Sequence, residues 1–415
     1  MNRRDTTRLL RFFTRAFQDA NLDIVADPRK RRGRRWTLPT LLKTLLVALV
    51  CGQKNLGQTQ QLTRVLSPKA RRLLGIPRRV PVTTLRDLLV RMDWETLREL
   101  LTQLVRAAKR RKALRNDAFP CVVVSMDGKW THTPRFHPDY TMRYGTHHVV
   151  RTITSCLVSS AAKPCVDVHF VSPKRNENST FQHAYDALRH SFGHVDLVTY
   201  DGGACGKANA AYVVKQRGNY LFRLTAEQKM LLAEAEESLA DLGQESRLAH
   251  TVDPAGKHSV VVRGLWAARQ RLCTHWEHRL TFLRVRACRK GERGETAVEN
   301  RYWVTNLPLS RFTPEQWLKL TRLHWSVENH CHKTFDVSFE EDKRRWVNEP
   351  RGMLAVEILR RVAYTLLALF RCVTQRSEGK RNMPWLGLFR LFFQLLLFLG
   401  REDQRAIAVG RLDSS

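Results

Sequence analysis

The chain has 415 residues, 43% of them hydrophobic, and a formal net charge of +32. That length allows two or three domains, and the apolar share excludes a disordered chain. A pI near 10.6 points to a polyanionic partner, nucleic acid ahead of a membrane surface. A membrane role needs a spanning or basic amphipathic segment. Trp385 to Leu399 is very apolar, but Arg390 and Gln394 interrupt it, and it falls short of the roughly 20 residues that cross a bilayer. The N-terminus shows no apolar run with a small-residue cleavage site, so no signal peptide is expected. Nine cysteines without a CxxC pair fit free thiols in a reducing cytoplasm.

Residues 1–116 read as a helical, basic domain. Leu9, Leu10, Phe12, Phe13 and Phe17 recur at helical spacing. Arg29, Lys30, Arg31, Arg32, Arg34 and Arg35 then crowd into one short run. Such a run is either a solvated charge cluster or a phosphate-contacting arm, and the net charge favours the arm. Thr37 and Pro39 open a helix that Gly52 stops. Val82 to Arg91 opens another, with Thr83 or Thr84 as its cap. Short helices separated by Gly and Pro fit a helix-turn-helix relative or a plain bundle equally well.

The pattern changes after Lys109-Arg-Arg-Lys-Ala-Leu-Arg115. Cys121 to Met126 is a buried strand candidate ending at Asp127. His147 to Ser159 and Cys165 to Val171 suggest a hairpin. Thr180 to His190 reads as helix, Val195 to Tyr200 as a strand ending at Asp201, Gly206 to Gln216 as helix, and Tyr220 to Leu224 as strand. Strands first, then alternating helix and strand, is the order of a ribonuclease-H-like sheet. Residues 229–310 break that alternation with Gly-separated β-type runs and read as a mainly β insertion. Pro314 to Lys333 reads as one long helix bearing Glu328, and Glu357 to Cys372 as another.

Two Asp at strand ends and a Glu on a helix are a donor set for a metal cage. Phosphodiester cleavage needs an activated nucleophile and charge relief on the leaving oxygen. Two Mg2+ ions roughly 3.5–4 Å apart supply both, and Mg2+ prefers oxygen ligands. Taken alone, each Asp is more often a turn residue or cap, and a helical Glu is usually solvated. An α-helix would put His324, Cys331 and His332 on one face with Glu328, and Arg322 nearby. That face either handles the scissile phosphate or is a satisfied polar face. A zinc site from His324, His330, Cys331 and His332 is a third option, with spacing that matches no closed tetrahedral set. Trp266 or Trp276 stacks on an extruded base or packs in the core.

The residues resemble bacterial insertion-sequence transposases of the DDE class, in the ISAs group that includes H-repeat-associated proteins. Arg322-Leu-His-Trp-Ser-Val-Glu-Asn329 and Phe335-Asp-Val-Ser-Phe-Glu-Glu-Asp342 carry the strongest likeness. Ser125-Met-Asp-Gly-Lys129 is similar to the family's first-Asp block, and Thr199-Tyr-Asp-Gly-Gly-Ala-Cys-Gly206 to its second. Asn176-Glu177 resembles a Ser-Asn-Glu element. Trp130-Thr-His-Thr133, Gly202-Gly203 and Thr225-Ala-Glu-Gln228 depart from the family pattern.

The resemblance implies an α+β fold. A ribonuclease-H-like core would occupy 117–228 and 311–375, split by the insertion at 229–310. A helical DNA-binding domain would occupy 1–116, and a helical tail 376–415. Asp127, Asp201 and Glu328 would be catalytic and hold two Mg2+ ions, with Mn2+ able to substitute. Lys129, Arg322, His324, Trp325 and Lys333 would join the basic arm in contacting DNA. The partners implied are double-stranded DNA, as element ends and as target, and a second copy in a homodimer on DNA. The location implied is the bacterial cytoplasm, on the nucleoid when bound. The alternative is a domesticated DNA-binding regulator without transposition activity.

Overall fold

The computed structural model describes residues 3–30, 34–255, 259–273, 276–290, 296–375 and 377–399. Arg31 and Arg32, and residues 400–415 of the expected tail, lie outside the described residues. Before the first strand come α1 (Arg3–Ala20), α2 (Leu38–Val50), α3 (Leu56–Val65), α4 (Pro68–Leu74), α5 (Val82–Leu89) and α6 (Trp94–Arg110). Thr37 caps α2 by accepting from the Thr40 N–H, and Pro39 sits in the first turn. The cap of α5 differs from expectation. Pro81 holds that position without a side-chain bond, and Thr83 and Thr84 lie inside the helix. In α6 the buried Leu97, Leu100, Leu101, Leu104, Val105 and Ala108 form one helical stripe.

Gly52 ends α2 with φ +70, a backbone region that favours glycine. A Cβ there would stand 2.7 Å from a ring carbon of Phe389. Gly52→Ala is therefore expected to lower stability by about 2 kcal/mol, read as a shift in denaturant midpoint.

The strands are β1 (Val123–Thr133), β2 (Met142–Tyr144), β3 (His147–Leu157), β4 (Cys165–Phe170), β5 (Leu197–Tyr200) and β6 (Tyr220–Leu224), then β7 (Ala249–Pro254), β8 (Val260–Ala267), β9 (Arg271–Leu272), β10 (Arg279–Lys290) and β11 (Thr296–Thr305). They form one mixed sheet in the order β2-β3-β1-β5-β6-β11-β10-β8-β7, with β4 also on β3 and β9 on β10. β3 runs antiparallel to β1, whereas β5 and β6 are parallel to it. Helices α7 (Glu177–Phe192) and α8 (Lys207–Lys215) make the crossovers that parallel neighbours need. After α9 (Lys229–Ala240), β11 pairs antiparallel with β6, so strands β7 to β11 extend this same sheet.

The chain then forms α10 (Pro314–His324), α11 (Pro350–Leu369), α12 (Glu378–Arg381) and α13 (Trp385–Phe398). The expected single helix from Pro314 to Lys333 is a correction. It is α-helical only to His324, and Val327–His332 and Thr334–Ser338 are wider π-helical turns. Such turns bond i to i+5 and are enriched at functional sites. α11 is almost wholly buried, packed against α6, α2 and β4. Arg98 on α6 bonds Asp167 Oδ1 at 2.8 Å and the Ala187 carbonyl at 2.9 Å, tying α6 to β4 and α7. Among the described residues no helix is long and apolar enough to cross a membrane.

Candidate active site

The two Asp occupy equivalent positions on neighbouring parallel strands. Ser125 of β1 pairs with Thr199 of β5, and Asp127 and Asp201 each stand two residues further on. Adjacent strands lie about 4.8 Å apart, and residues two apart share a face. Asp127 does not end its strand, as the apolar run suggested. β1 continues to Thr133, paired with β3 throughout. It pairs with β5 only over Val123–Ser125, so the sheet forks at Asp127. That fork leaves room for side chains between strands. Asp201 also acts as a cap, accepting from the Gly203 N–H at 3.0 Å.

Glu328 reaches the pair through the end of α10. His324, expected at the DNA surface, is instead 1% exposed. Its Nδ1 lies 3.1 Å from Thr199 Oγ1, and Ser125 Oγ donates to its carbonyl at 2.8 Å. Trp303 and Trp325 pack edge-on against its ring. Burial, with Arg223 and Arg301 nearby, lowers its pKa to about 3, so the ring is neutral. The end of α10 is thus pinned to the same two residues that pair β1 with β5. His324→Ala is expected to loosen Glu328 and lower kcat about 100-fold with a smaller change in DNA affinity. An equal loss in both, tracking a fall in melting temperature, would mark simple destabilisation.

The carboxylates sense one another. Burial and the charge of Asp201 push Asp127 up to about 8, against the Gly128 N–H and Lys129. Burial and Asp127 raise Glu328, with Asp201 adding and His332 and Arg223 opposing. His332, buried, places Nδ1 3.2 Å from Asp127 Oδ2. Burial and the Lys129 charge lower it to about 3. Its Nε2 is buried without a hydrogen-bond partner. Of the residues expected to share a face with Glu328, His324 packs on Ser125 and Thr199 and His332 on Asp127, whereas Cys331 turns away within the π-helical stretch. Cys331 is buried, its Sγ directed to the Lys163 carbonyl.

Among the described residues, no three His, Cys, Asp or Glu side chains already converge on one ion. Asp127, Asp201 and Glu328 feel one another's charge without closing on a common point, and the zinc alternative has no closed set among the described residues either. The donor chemistry fits a hard divalent cation. It consists of carboxylate oxygens that repel one another, with Asp127 pushed up by burial and by the charge of Asp201.

The basic residues divide. Lys129 is buried, with Nζ 2.6 Å from Asp336 Oδ1. Burial opposes its charge, but Glu341, Asp336 and Asp342 outweigh that and raise its pKa. It therefore serves an internal ion pair and offers no DNA-facing surface. Arg29 is also turned inward, forked onto Asp27 at 2.9 and 2.8 Å and onto the Trp36 carbonyl at 2.8 Å. Arg34 leans on the same Asp27. Lys30, Arg35 and Lys333 are exposed. Arg322 is exposed and pairs with Asp253 at 3.1 Å. Trp325 is half-buried between the guanidinium groups of Arg223 and Arg301, at 5.2 and 4.9 Å. Trp266 and Trp276 are both buried in the core.

Two departures from the family pattern touch each other. A Cβ on Gly202 would stand 2.3 Å from Thr225 Cγ2, so Thr225 occupies space that an alanine there would need. Gln228 Nε2 then donates to the Gly202 carbonyl at 3.2 Å. The third departure, Trp130, donates its indole N–H to Glu177 Oε1 at 2.9 Å.

The Transposase DDE domain family model matches residues 120–365, and the DDE_Tnp_1-associated model matches residues 20–105. The chain belongs to the DDE transposase family. Within it, the chain is similar to the H repeat-associated putative transposase YhhI and the putative protein YbfL, both of Escherichia coli K12. Each is 26% identical over 239 residues, covering 53% of this chain and 57% of the relative. The chain thus spans little more than half the length of these relatives. A cryo-electron-microscopy structure of a piggyBac transposase synaptic complex with hairpin DNA is similar at 11% identity and TM-score 0.47, covering 96% of this chain and 81% of that one.

Proposed function

We propose that the protein is a transposase that binds the terminal inverted repeats of an insertion sequence, cuts DNA there and joins the ends to a target. The observation that carries this is the matched register of Asp127 and Asp201, with Glu328 delivered to them by the pinned end of α10. The sheet order from β4 through β3, β1 and β5 to β6, with β3 reversed, supports a ribonuclease-H-like core. Asp127, Asp201 and Glu328 would hold two Mg2+ ions, or Mn2+ in their place. Bound there, the ions would supply charge relief and an activated nucleophile at the phosphodiester. The chain's own part is to aim the carboxylates, keep His332 neutral against Asp127 and exclude bulk water from the buried Asp127.

The substrate would be double-stranded DNA, met by a homodimer in the bacterial cytoplasm. The exposed Lys30, Arg35, Arg322 and Lys333, with Trp325 between its two arginines, are the residues proposed to meet the phosphate backbone. The N-terminal helices would recognise the ends. The test is to incubate the full chain with DNA carrying the inverted repeats that flank its gene, with Mg2+ and with chelator. Cutting at the repeat ends only with Mg2+ is expected. Binding without cutting under every metal condition would leave a DNA-binding regulator instead. Affinity for the ends should also fall steeply with salt, by about 10³-fold between about 50 and 200 mM, as phosphate contacts dictate.

A further inference from the structure

Glu177 opens α7 on the other face of the sheet from Glu328. Side chains alternate along β1, so Gly128 and Trp130 face away from Asp127 and Lys129. The Glu177 carboxylate lies directly over Gly128. A Cβ added to Gly128 would stand 2.1 Å from Glu177 Oε1 and 2.3 Å from Oε2. The glycine that follows Asp127 is thus what lets this carboxylate reach the fork in the sheet. A Cβ on Gly203 would stand 3.3 Å from Asp201 Oδ1 and 3.5 Å from Glu177 Oε2, so both carboxylates border one small space. Trp130 Nε1 donates to Oε1 at 2.9 Å, and Tyr200 OH donates to Oε2 at 3.2 Å. These two bonds aim the carboxylate and leave each oxygen further lone-pair capacity.

We infer that Glu177 is a fourth carboxylate of the metal centre, binding a divalent cation together with Asp127 and Asp201 from the face opposite Glu328. The inference rests on the proposed transposase reading. A purely structural Glu177 would only anchor Trp130 and Tyr200. Its surroundings say more than that. Burial raises its pKa, and Asp127 and Asp201 add to the rise despite the Trp130 bond. Trp130 and Tyr200 donate to this carboxylate and the Arg151 charge lies near it, yet among the described residues no cation of the chain closes an ion pair with it, and a bound divalent cation would relieve its repulsion with Asp127 and Asp201.

The test measures Mn2+ binding to the full chain without DNA, by titration calorimetry or by the signal of free Mn2+ in electron paramagnetic resonance. Glu177→Gln keeps a carbonyl acceptor for the Trp130 N–H and turns its NH2 to the Tyr200 hydroxyl, which can accept instead of donating, so the metal-free melting temperature should stay within about 2 °C of wild type. Mn2+ affinity should fall about 10-fold or more, and the Mn2+-induced rise in melting temperature should shrink with it. Unchanged Mn2+ affinity in Glu177→Gln overturns the inference. So does a loss of affinity matched by a large fall in metal-free melting temperature. Asp201→Asn, run in parallel, separates the two readings. If it abolishes binding while Glu177→Gln does not, only the role of Glu177 fails. If wild type binds no Mn2+, both readings fail.

Discussion

Asp127→Ala, Asp201→Ala and Glu328→Ala are each expected to lower cutting of end-containing DNA by about 10³-fold, on the order of 4 kcal/mol of transition-state stabilisation. The fold should survive all three changes. Asp127 and Asp201 sit at equivalent positions of adjacent strands, and their backbones are fixed by the pairing of Ser125 with Thr199. Removing a side chain there does not unpair the strands. Stability should even move the other way for Asp127. Its carboxyl is held up at about 8 by burial and by the charge of Asp201, so the ionised form is disfavoured in the folded state. Asp127→Asn should therefore match or exceed wild type in metal-free melting temperature while losing cleavage. Double variants should lose little beyond the single ones, because the groups act as a unit. Full cleavage by all three single variants would overturn the proposed chemistry.

How much of this site the sequence disclosed depends on whether each signal was local. Asp127 and Asp201 follow apolar runs that read as buried strands, and Glu328 lies in a helical stretch, so these three were visible. Their register was not, because pairing between β1 and β5 is a long-range fact. The continuation of β1 through Lys129 was hidden for a related reason. A lysine reads as a strand end unless its partners are known, and Asp336 and Asp342 lie far along the chain. His324 looked like a surface ligand because its partners, Ser125 and Thr199, come from other elements. The π-helical turns after α10 leave no mark in hydrophobic periodicity, so the expected face around Glu328 was drawn with the wrong pitch. Strands β8, β10 and β11 were legible as β-type runs and β7 and β9 were not, and the continuation of the main sheet through them depends on β11 meeting β6. Glu177 stood out only through the likeness of Asn176-Glu177 to a Ser-Asn-Glu element, which gave it no role, since its place beside Gly128 is set across the sheet.

Glu341→Gln is expected to cost about 3–5 kcal/mol of stability, the usual result of removing one partner from a buried ion pair. Glu341 is fully buried and accepts from Arg361 Nη1 at 2.8 Å, with Arg360 Nη1 at 3.4 Å. Arg360 and Arg361, both buried, would lose their carboxylate and keep only carbonyl partners, Arg344 and Glu357 respectively. The loss should be read as a denaturant midpoint, and it should weaken cutting as well. Glu341 also helps hold Lys129, two residues beyond Asp127. A second carboxyl stands in reserve. Glu357 is buried beside the Thr131 hydroxyl, and burial and the charge of Glu341 push it up to about 7 against the pull of Arg361 and Thr131. With Glu341 neutralised, Glu357 would ionise more readily and take over part of the pairing. Glu357→Gln alone should thus be nearly neutral, and the double variant should lose more than the two single losses combined. The pH dependence has a definite sign. A carboxyl raised in the folded state stabilises fully below its ordinary value near 4.5 and loses that contribution as pH rises through about 7. Wild type should therefore lose stability between pH about 5 and about 8 through this group, and Glu357→Gln should flatten that slope. A slope that persists unchanged in Glu357→Gln, with additive losses in the double variant, would show that Glu341 works alone.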